Sequence, residues 1–212
     1  MKLSYYVVTR DYGFAPNPFH GFCTLATCKP TLRKHANVGD WIVGMGSSRK
    51  ESIYKGKMIY AMQVEEILTF DDYWNDIRFQ NKKPVMNGST QLKYGDNIYY
   101  TDENGYIIQV DSHHSLENGK ENLLNLERDT RGEKVLISKK FWYFGKDAIE
   151  IPESLSTLKN VGRGYRNIHD HNNQKFIDNF VEWLYSLEGY QWIGHPEKFE
   201  SGFHRYDGRS SF

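Results

Sequence analysis

Two apolar segments enclose an aromatic loop near the start of the chain, and this stretch, residues 5–47, constrains the fold most. The segments cover residues 5–8 and 41–46, and the second follows a Gly-Asp turn. The loop over residues 12–22 contains Gly, Pro and three phenylalanines. Exposed rings cost free energy unless they cover a core or a ligand. The stretch therefore predicts a folded domain whose loop packs or binds.

The composition indicates a globular protein and excludes a strongly basic one. Charged residues make up 25% of the 212, which argues against disorder. Lys and Arg number 27, as do Asp and Glu, so the net charge is zero and overall basicity gives no argument for nucleic-acid binding. Aromatic residues at 15% predict a core built largely of rings.

The sequence also predicts a cytoplasmic location and no membrane association. It contains no run of about eighteen apolar residues, the length needed to span a bilayer. The first four residues lead directly into a strand without the apolar region of a signal peptide. Two cysteines, Cys23 and Cys28, fit a reducing compartment better than a disulfide framework.

Periodicity and turn residues predict an α+β fold with a curved mixed sheet or small barrel, short helices and a C-terminal amphipathic helix. Strands are predicted over residues 3–9, 41–46, 57–67 and 134–144, a hairpin over 98–101 and 106–110, and helices over 31–37, 70–79 and 172–187. Thr31 and Thr69 are the predicted caps of the first two helices. Residues 111–133 are predicted as loop, and the polar tail after Gly194 is typical of a mobile terminus.

The two cysteines and two adjacent histidines raise two chemical possibilities. Cys23 or Cys28, with His113 or His114 and Asp111, could form an activated thiol if a base lies within hydrogen-bonding reach. The cysteines and histidines could instead bind zinc, but their spacing matches none of the common short motifs. We therefore predict no metal and no cofactor, with zinc and thiol chemistry as open alternatives.

The segment from Asp111 to Ser115 is a polar, titratable cluster that follows a predicted hairpin strand. Its two histidines, His113 and His114, could read the edge of a base or act as acid and base near neutral pH. The alternative is a solvated loop in which Ser and Asp cap turns. If the protein is an enzyme, Asp111, His113 and His114 are the predicted catalytic residues.

The opening loop supplies the parts of a nucleobase pocket. Rings stack on base faces and polar groups read base edges. The predicted ring and amide contributors are Tyr12, Phe14, Asn17, Phe19 and Trp41, and the predicted phosphate contacts are Arg10, Lys29, Arg33 and Lys34. The alternative is that these rings plug one end of a barrel.

Several segments strongly resemble the second nucleotide modification associated domain family of bacteria and phages. They are residues 5–47, IYAMQVEEILTFDDYW, KKPVMNGS, YGDNIYY, DSHHS, NLERDT, VLISKKFWYFG and the late amphipathic helix. The resemblance covers nearly the whole chain. It implies an association with systems that modify nucleotides in DNA or respond to modified ones, and it brings no reaction and no catalytic residues.

A looser likeness concerns the fold. A strand, a short basic helix, the turn Gly39-Asp40 and the strand IYAMQVEEI are similar to the PUA-like superfamily, which includes EVE and YTH domains. These pseudo-barrels bind modified bases in aromatic pockets. The likeness implies a nucleotide-recognition domain over residues 1–150, with residues 151–212 as a helical extension packed on the same domain.

These observations favour a binding module for a modified base or nucleotide in a modification or defence system. Its predicted ligand contacts are Arg10, Tyr12, Phe14, Asn17, Lys29, Trp41, Ser47 and Ser115. The first alternative is an enzyme that makes or removes a base modification. The second is a subunit whose late helix docks a protein partner.

Overall fold

The protein is described by a computed structural model that covers residues 1–47 and 52–209. Its strands are β1 (Lys2–Val7), β2 (Cys23–Leu25), β3 (Trp41–Met45), β4 (Lys57–Gln63), β5 (Glu66–Leu68), β6 (Tyr99–Thr101), β7 (Ile107–Gln109), β8 (Val135–Ser138), β9 (Phe141–Tyr143), β10 (Ile149–Glu150), β11 (Tyr165–His169) and β12 (Gln191–Trp192). Its α-helices are α1 (Pro30–His35), α2 (Phe70–Asn75), α3 (Thr90–Lys93), α4 (Leu123–Thr130) and α5 (Asp170–Ser186). The predicted α+β class is confirmed, and the sheets do not close into a barrel within the described ranges.

The main sheet has the strand order β11-β1-β3-β4-β9-β12, with β10 paired to β4. β1 and β3 are the predicted strands at the two ends of residues 5–47, and they pair in parallel with Leu3 opposite Trp41. β11 pairs antiparallel with the other edge of β1. No strand is predicted here from the sequence, because the glycines and arginines of residues 161–166 are typical of a turn. β11 begins inside that stretch.

Two predicted strands each divide between sheets, which corrects the sequence assignment. Residues 57–67 form β4 in the main sheet and β5 in a second sheet of order β2-β8-β5, and residues 134–144 divide in the same way into β8 and β9. Glu65 stabilises the corner between β8 and β9: its Oε2 accepts from the backbone N–H of Lys139 at 2.6 Å and of Lys140 at 3.0 Å. Side-chain alternation continues through such a corner, so periodicity does not reveal it.

The predicted helices are present, with one different start and one addition. Thr69 caps α2 as predicted and accepts from the Asp72 N–H at 3.1 Å. α1 begins at Pro30 after Lys29 in the left-handed region (φ 41°), so Thr31 is not its cap. α4 lies inside the segment predicted as loop, where the side chain of Asn122 caps it by accepting from Asn125 N–H at 3.3 Å.

The late amphipathic helix is confirmed as α5, and its apolar face packs on the main sheet. Ile177, Phe180 and Leu184 are fully buried in the principal core. The Phe180 ring lies edge-on to the Trp41 indole, with centroids 5.8 Å apart. Chain beyond residue 150 thus contributes to the same core. The predicted boundary at 150 stays a prediction.

No helix among residues 1–47 and 52–209 is long and apolar enough to cross a membrane.

Candidate active site

A cleft of about 630 Å³ opens beside the loop that follows β1. Its other walls come from the loop between β2 and α1, the loop after β7, and a C-terminal segment that we define as residues 196–209. Of the residues predicted from sequence, the cleft is lined by Arg10, Tyr12, Phe14, Lys29, Ser47, His113 and His114. The structure therefore brings two of the four predicted rings, two of the four predicted phosphate contacts, both histidines and Cys28 to one cleft.

Three side chains form a hydrogen-bonded chain at the floor of this cleft. The Sγ of Cys28 lies 3.8 Å from Nε2 of His114, and Nδ1 of the same ring donates to Oδ2 of Asp129 at 2.7 Å. A thiol, an imidazole and an orienting carboxylate in this order are the parts of an activated nucleophile. Cys28 is partly exposed to the cleft, whereas His114 and Asp129 are buried.

Backbone contacts fix the position of Cys28. It adopts the left-handed conformation (φ 56°), which non-glycine residues rarely hold without support. Its N–H donates to Oδ1 of Asp129 at 2.9 Å, and its carbonyl accepts from Nε of Arg33 at 2.8 Å. The buried Arg33 guanidinium also donates to the carbonyl of Asp129, so one side chain joins the cysteine loop to the end of α4.

α4 presents two residues, one turn apart, to the histidine loop. Asp129 reaches the His114 ring, and the Asn125 side chain donates to the His114 carbonyl at 2.9 Å. The phenol of Tyr99 donates to Oδ2 of Asp129 at 3.0 Å. Gln109 donates to that phenol oxygen at 3.1 Å and to the His114 carbonyl at 3.3 Å. His114 is therefore held both at its ring and at its backbone carbonyl.

The three groups shift one another's proton affinities in complementary directions. Burial alone would raise the pKa of the Cys28 thiol, but the adjacent His114 ring outweighs it and holds this pKa below its ordinary value. Burial would lower the pKa of His114, but Asp129 and the Cys28 sulfur raise it to about 9. The pKa of Asp129 falls to about 2 because His114 and nearby arginines overcome its burial. These directions favour a thiolate–imidazolium pair at neutral pH.

The other cysteine and the other histidine do not take part in the Cys28–His114–Asp129 hydrogen bonds. Cys23 is fully buried in β2, and burial raises the pKa of its thiol. His113 lies in the cleft wall, where burial and the neighbouring His114 lower its pKa to about 3. Its Nδ1–H donates to the carbonyl of His204, so the ring is neutral and oriented by the C-terminal segment.

Phe19, Arg33 and Lys34 do not line the cleft, and neither do four of the residues predicted as ligand contacts or catalytic residues. Trp41 is buried under α5. Asn17 is buried, where its amide donates to the Tyr94 carbonyl at 3.0 Å and its Oδ1 accepts from Lys82 at 2.8 Å.

The remaining two, Asp111 and Ser115, both accept from the guanidinium of Arg205 at 2.5 Å. They connect the histidine loop to the C-terminal segment. The carboxylate that partners the histidine is thus Asp129 rather than Asp111.

The same three groups are the candidate metal ligands among the described residues. Their ligand atoms lie within 4.8 Å of one another. Both carboxylate oxygens of Asp129 are already used, Oδ1 by the Cys28 N–H and Oδ2 by His114 and Tyr99. A metal ion would find only Cys28 Sγ and His114 Nε2 without displacing these bonds. The arrangement fits a protonic triad better than a three-ligand metal centre.

Sequence reasoning missed the acidic member and one wall of the site. Asp129 lies on α4, and the signal available was Asn122 as a cap followed by helix-forming residues. The C-terminal segment, predicted to be mobile, packs against the site: Tyr206 lines the cleft, and its N–H donates to the His113 carbonyl at 2.7 Å. No local sequence pattern predicts this long-range contact.

The fold and the site define an α+β protein with a thiol–imidazole–carboxylate chain in an aromatic cleft. The chain belongs to the family described as nucleotide modification associated domain 2, whose model matches residues 1–203. The family resemblance seen in the sequence is thereby confirmed. No curated protein and no solved structure matches the chain significantly.

Proposed function

We propose that the protein is a cysteine-dependent enzyme that acts on a nucleotide within a nucleotide-modification system. Cys28 is the nucleophile, His114 the general acid and base, and Asp129 the group that orients His114. The observation that carries this proposal is the chain of contacts at the cleft floor, 3.8 Å from Cys28 Sγ to His114 Nε2 and 2.7 Å from His114 Nδ1 to Asp129. The family description supplies the nucleotide context.

The proposed step is addition of the thiolate to an electrophilic carbon of the substrate. A sulfur–carbon bond forms, a C=N, C=C or C=O π bond opens, and its electron pair takes the proton on Nε2 of His114. The neutral imidazole can then remove a proton in the following step. This addition needs no oxidant or reductant. Asp129 keeps a proton on Nδ1 of His114, so Nε2 is the nitrogen that gives up and takes back the proton.

The test is the pH dependence of alkylation by iodoacetamide, read by mass spectrometry at each cysteine. We expect Cys28 to react with a midpoint clearly below about 8.5, the value of an ordinary thiol. Cys23→Ala should keep this reaction, and Cys28→Ala should abolish it. His114→Gln should move the midpoint upward. An ordinary midpoint in the wild type, or no change in His114→Gln, would overturn the proposal.

Recognition without chemistry is the second candidate, and the rings of the cleft favour it. Tyr12 and Tyr206 are partly exposed there, and Tyr12 stacks on Tyr94 with centroids 5.2 Å apart. Such rings can bind a base. Incubation with modified nucleotides and short oligonucleotides separates the candidates. A bound nucleotide of unchanged mass supports a reader, and a changed mass supports the enzyme.

The finer sequence predictions remain proposals. They are the PUA-like architecture, a modified base in DNA as the ligand, a role in phages or defence, a cytoplasmic location and protein partners. For docking through the late helix, Phe180→Asp is the discriminating change. Because Phe180 is fully buried, we expect this variant to unfold the chain rather than release a partner.

A further inference from the structure

We propose that Lys29 forms an anion-binding subsite beside Cys28, and that the substrate carries a nucleotide phosphate bound there. This inference rests on the proposed thiol chemistry and adds the substrate group that the site recognises. Both a free nucleotide and one nucleotide of a polynucleotide present this anion, and the second experiment below distinguishes them.

The charges on the cleft wall are unbalanced. Four cationic side chains line it, namely Arg10, Lys29, Arg128 and Lys198, while Glu197 is the carboxylate among its described lining residues. Glu197 pairs with Lys198 at 2.7 Å. Arg128 donates to Oδ1 of Asn125 at 2.5 Å and lies 3.6 Å from Asp129. Its charge is therefore already matched within the protein.

Lys29 differs from Arg128 and Lys198 because no carboxylate of the described residues lies within ion-pairing distance of it. Its ammonium lies over the ring of Tyr6, 4.6 Å from the centroid. The side chain is half-buried, and burial lowers its pKa while the Cys28 sulfur opposes that shift. A partly desolvated cation without a carboxylate partner among the described residues gains from a bound anion.

The two other cations predicted to contact phosphate are occupied elsewhere. Arg33 is fully buried and donates to the carbonyls of Cys28, Asp129 and Lys134. Lys34 points to the surface and pairs with Glu133 at 2.8 Å. Among the cations of residues 28–35, Lys29 alone lines the cleft, and it directly follows the nucleophile.

The dimensions and the chemistry of the cleft fit a nucleotide. Its volume of about 630 Å³ lies within the range of about 300–1,000 Å³ typical of small-ligand sites. Tyr12 and Tyr206 offer ring surfaces for a base, while Lys29 offers charge for a phosphate.

The first experiment compares alkylation of Cys28 by anionic iodoacetate and neutral iodoacetamide at one pH. We expect Lys29→Met to lower the iodoacetate-to-iodoacetamide rate ratio by about fivefold, the size of a nearby unit charge in a partly solvated site. Lys29→Arg should retain the ratio. Lys34→Met, which removes a paired surface cation from the same segment, is the matched control and should leave the ratio unchanged.

The alkylation results distinguish an error in the anion subsite from an error in the proposed nucleophile. If wild-type Cys28 has ordinary reactivity towards iodoacetamide, the nucleophile itself is wrong. If Cys28 is reactive but Lys29→Met keeps the wild-type ratio, the nucleophile stands and the anion subsite is overturned.

The second experiment measures protection of Cys28 from iodoacetamide by a panel of 5′-mononucleotides, their nucleosides and short single-stranded oligonucleotides. Protection by a mononucleotide but not its nucleoside, lost in Lys29→Met, supports a free nucleotide. Protection by the oligonucleotide alone, with the same dependence on Lys29, supports a polynucleotide. Equal protection by nucleoside and nucleotide, or no protection by any member, contradicts the proposed phosphate subsite.

Discussion

The side chain of Asp129 holds the backbone of Cys28, because the Cys28 N–H donates to Oδ1 of Asp129 at 2.9 Å. The other oxygen of the carboxylate accepts from the His114 ring. One buried carboxylate therefore sets the position of the thiol and the orientation of the imidazole. The Cys28 amide is also committed to this bond, so anionic charge on a substrate must be stabilised by other groups of the cleft.

Replacing Asp129 with Asn should weaken the thiolate. The neutral amide no longer supports a cationic His114, so the pKa of Cys28 rises and the midpoint of iodoacetamide alkylation should move up by about 1–2 pH units. Asp111→Asn is the matched control, since Asp111 contacts Arg205 rather than His114. A shift in the Asp111 variant and none in the Asp129 variant would reverse the assignment of the carboxylate.

Asp11 should make the protein more stable in mild acid than at neutral pH. Burial raises its pKa from 3.8 to about 6, and its Oδ2 has no hydrogen-bond partner. The stabilisation is fully present below pH 3.8 and is lost as pH rises through 6, a change of about 3 kcal/mol. Denaturant titrations between pH 4 and 7 should show this loss in the wild type and not in Asp11→Asn. The same pH dependence of the free energy of unfolding in the wild type and in Asp11→Asn would refute this prediction.

Lys82→Met should destabilise the fold strongly. The Lys82 ammonium is buried and donates to the carbonyls of Asn17 and Phe22 at 2.9 and 2.8 Å, and burial lowers its pKa to about 8. Its removal leaves these acceptors and the buried Asp96 without their cation, at a cost of about 3–5 kcal/mol.

The neighbouring Lys83 provides the control for this change. Its ammonium lies over the Trp74 ring, 3.6 Å from the centroid, near the surface. Lys83→Met should cost less than about 1 kcal/mol in the same denaturant titration. Equal losses in the two variants would show that the Lys82 network is not the stabilising feature.

Arg205→Met should loosen the C-terminal segment over the site. Its guanidinium joins Asp111, the Ser112 carbonyl and the Ser115 hydroxyl. Losing these partly buried charged hydrogen bonds should speed hydrogen exchange at the Tyr206 amide by about tenfold. Arg209→Met, at an exposed position, should leave that exchange unchanged. Slow exchange in both variants would mean that Arg205 does not anchor the segment.

The sequence predicted the local parts of the fold more reliably than its long-range pairings. β1, β3, the hairpin and α5 were predicted because each has a local period or turn signal. The division of residues 57–67 between two sheets depends on contacts with distant strands, and no periodicity encodes it. The same reason explains why β11 was read as part of a turn.

The candidate site was predicted in pieces. The sequence predicts Cys28, His114, Lys29 and Tyr12 as site residues, but it does not distinguish between the two cysteines or between the two histidines. For the cysteines that choice depends on burial, which raises the pKa of the Cys23 thiol. For the histidines it depends on Asp129, which partners the His114 ring and not the His113 ring. Asp129 was missed because helix α4 was read as loop.

Arg33 limits local unfolding of the loop that carries Cys28. Its guanidinium donates to three carbonyls, those of the cysteine loop, the end of α4 and the start of the second sheet's central strand. Local fluctuation of the nucleophile loop must therefore break contacts in three separate elements at once. The thiol and its helix should behave as one cooperative unit, so that thiol reactivity disappears in the same thermal transition as the sheet rather than before it.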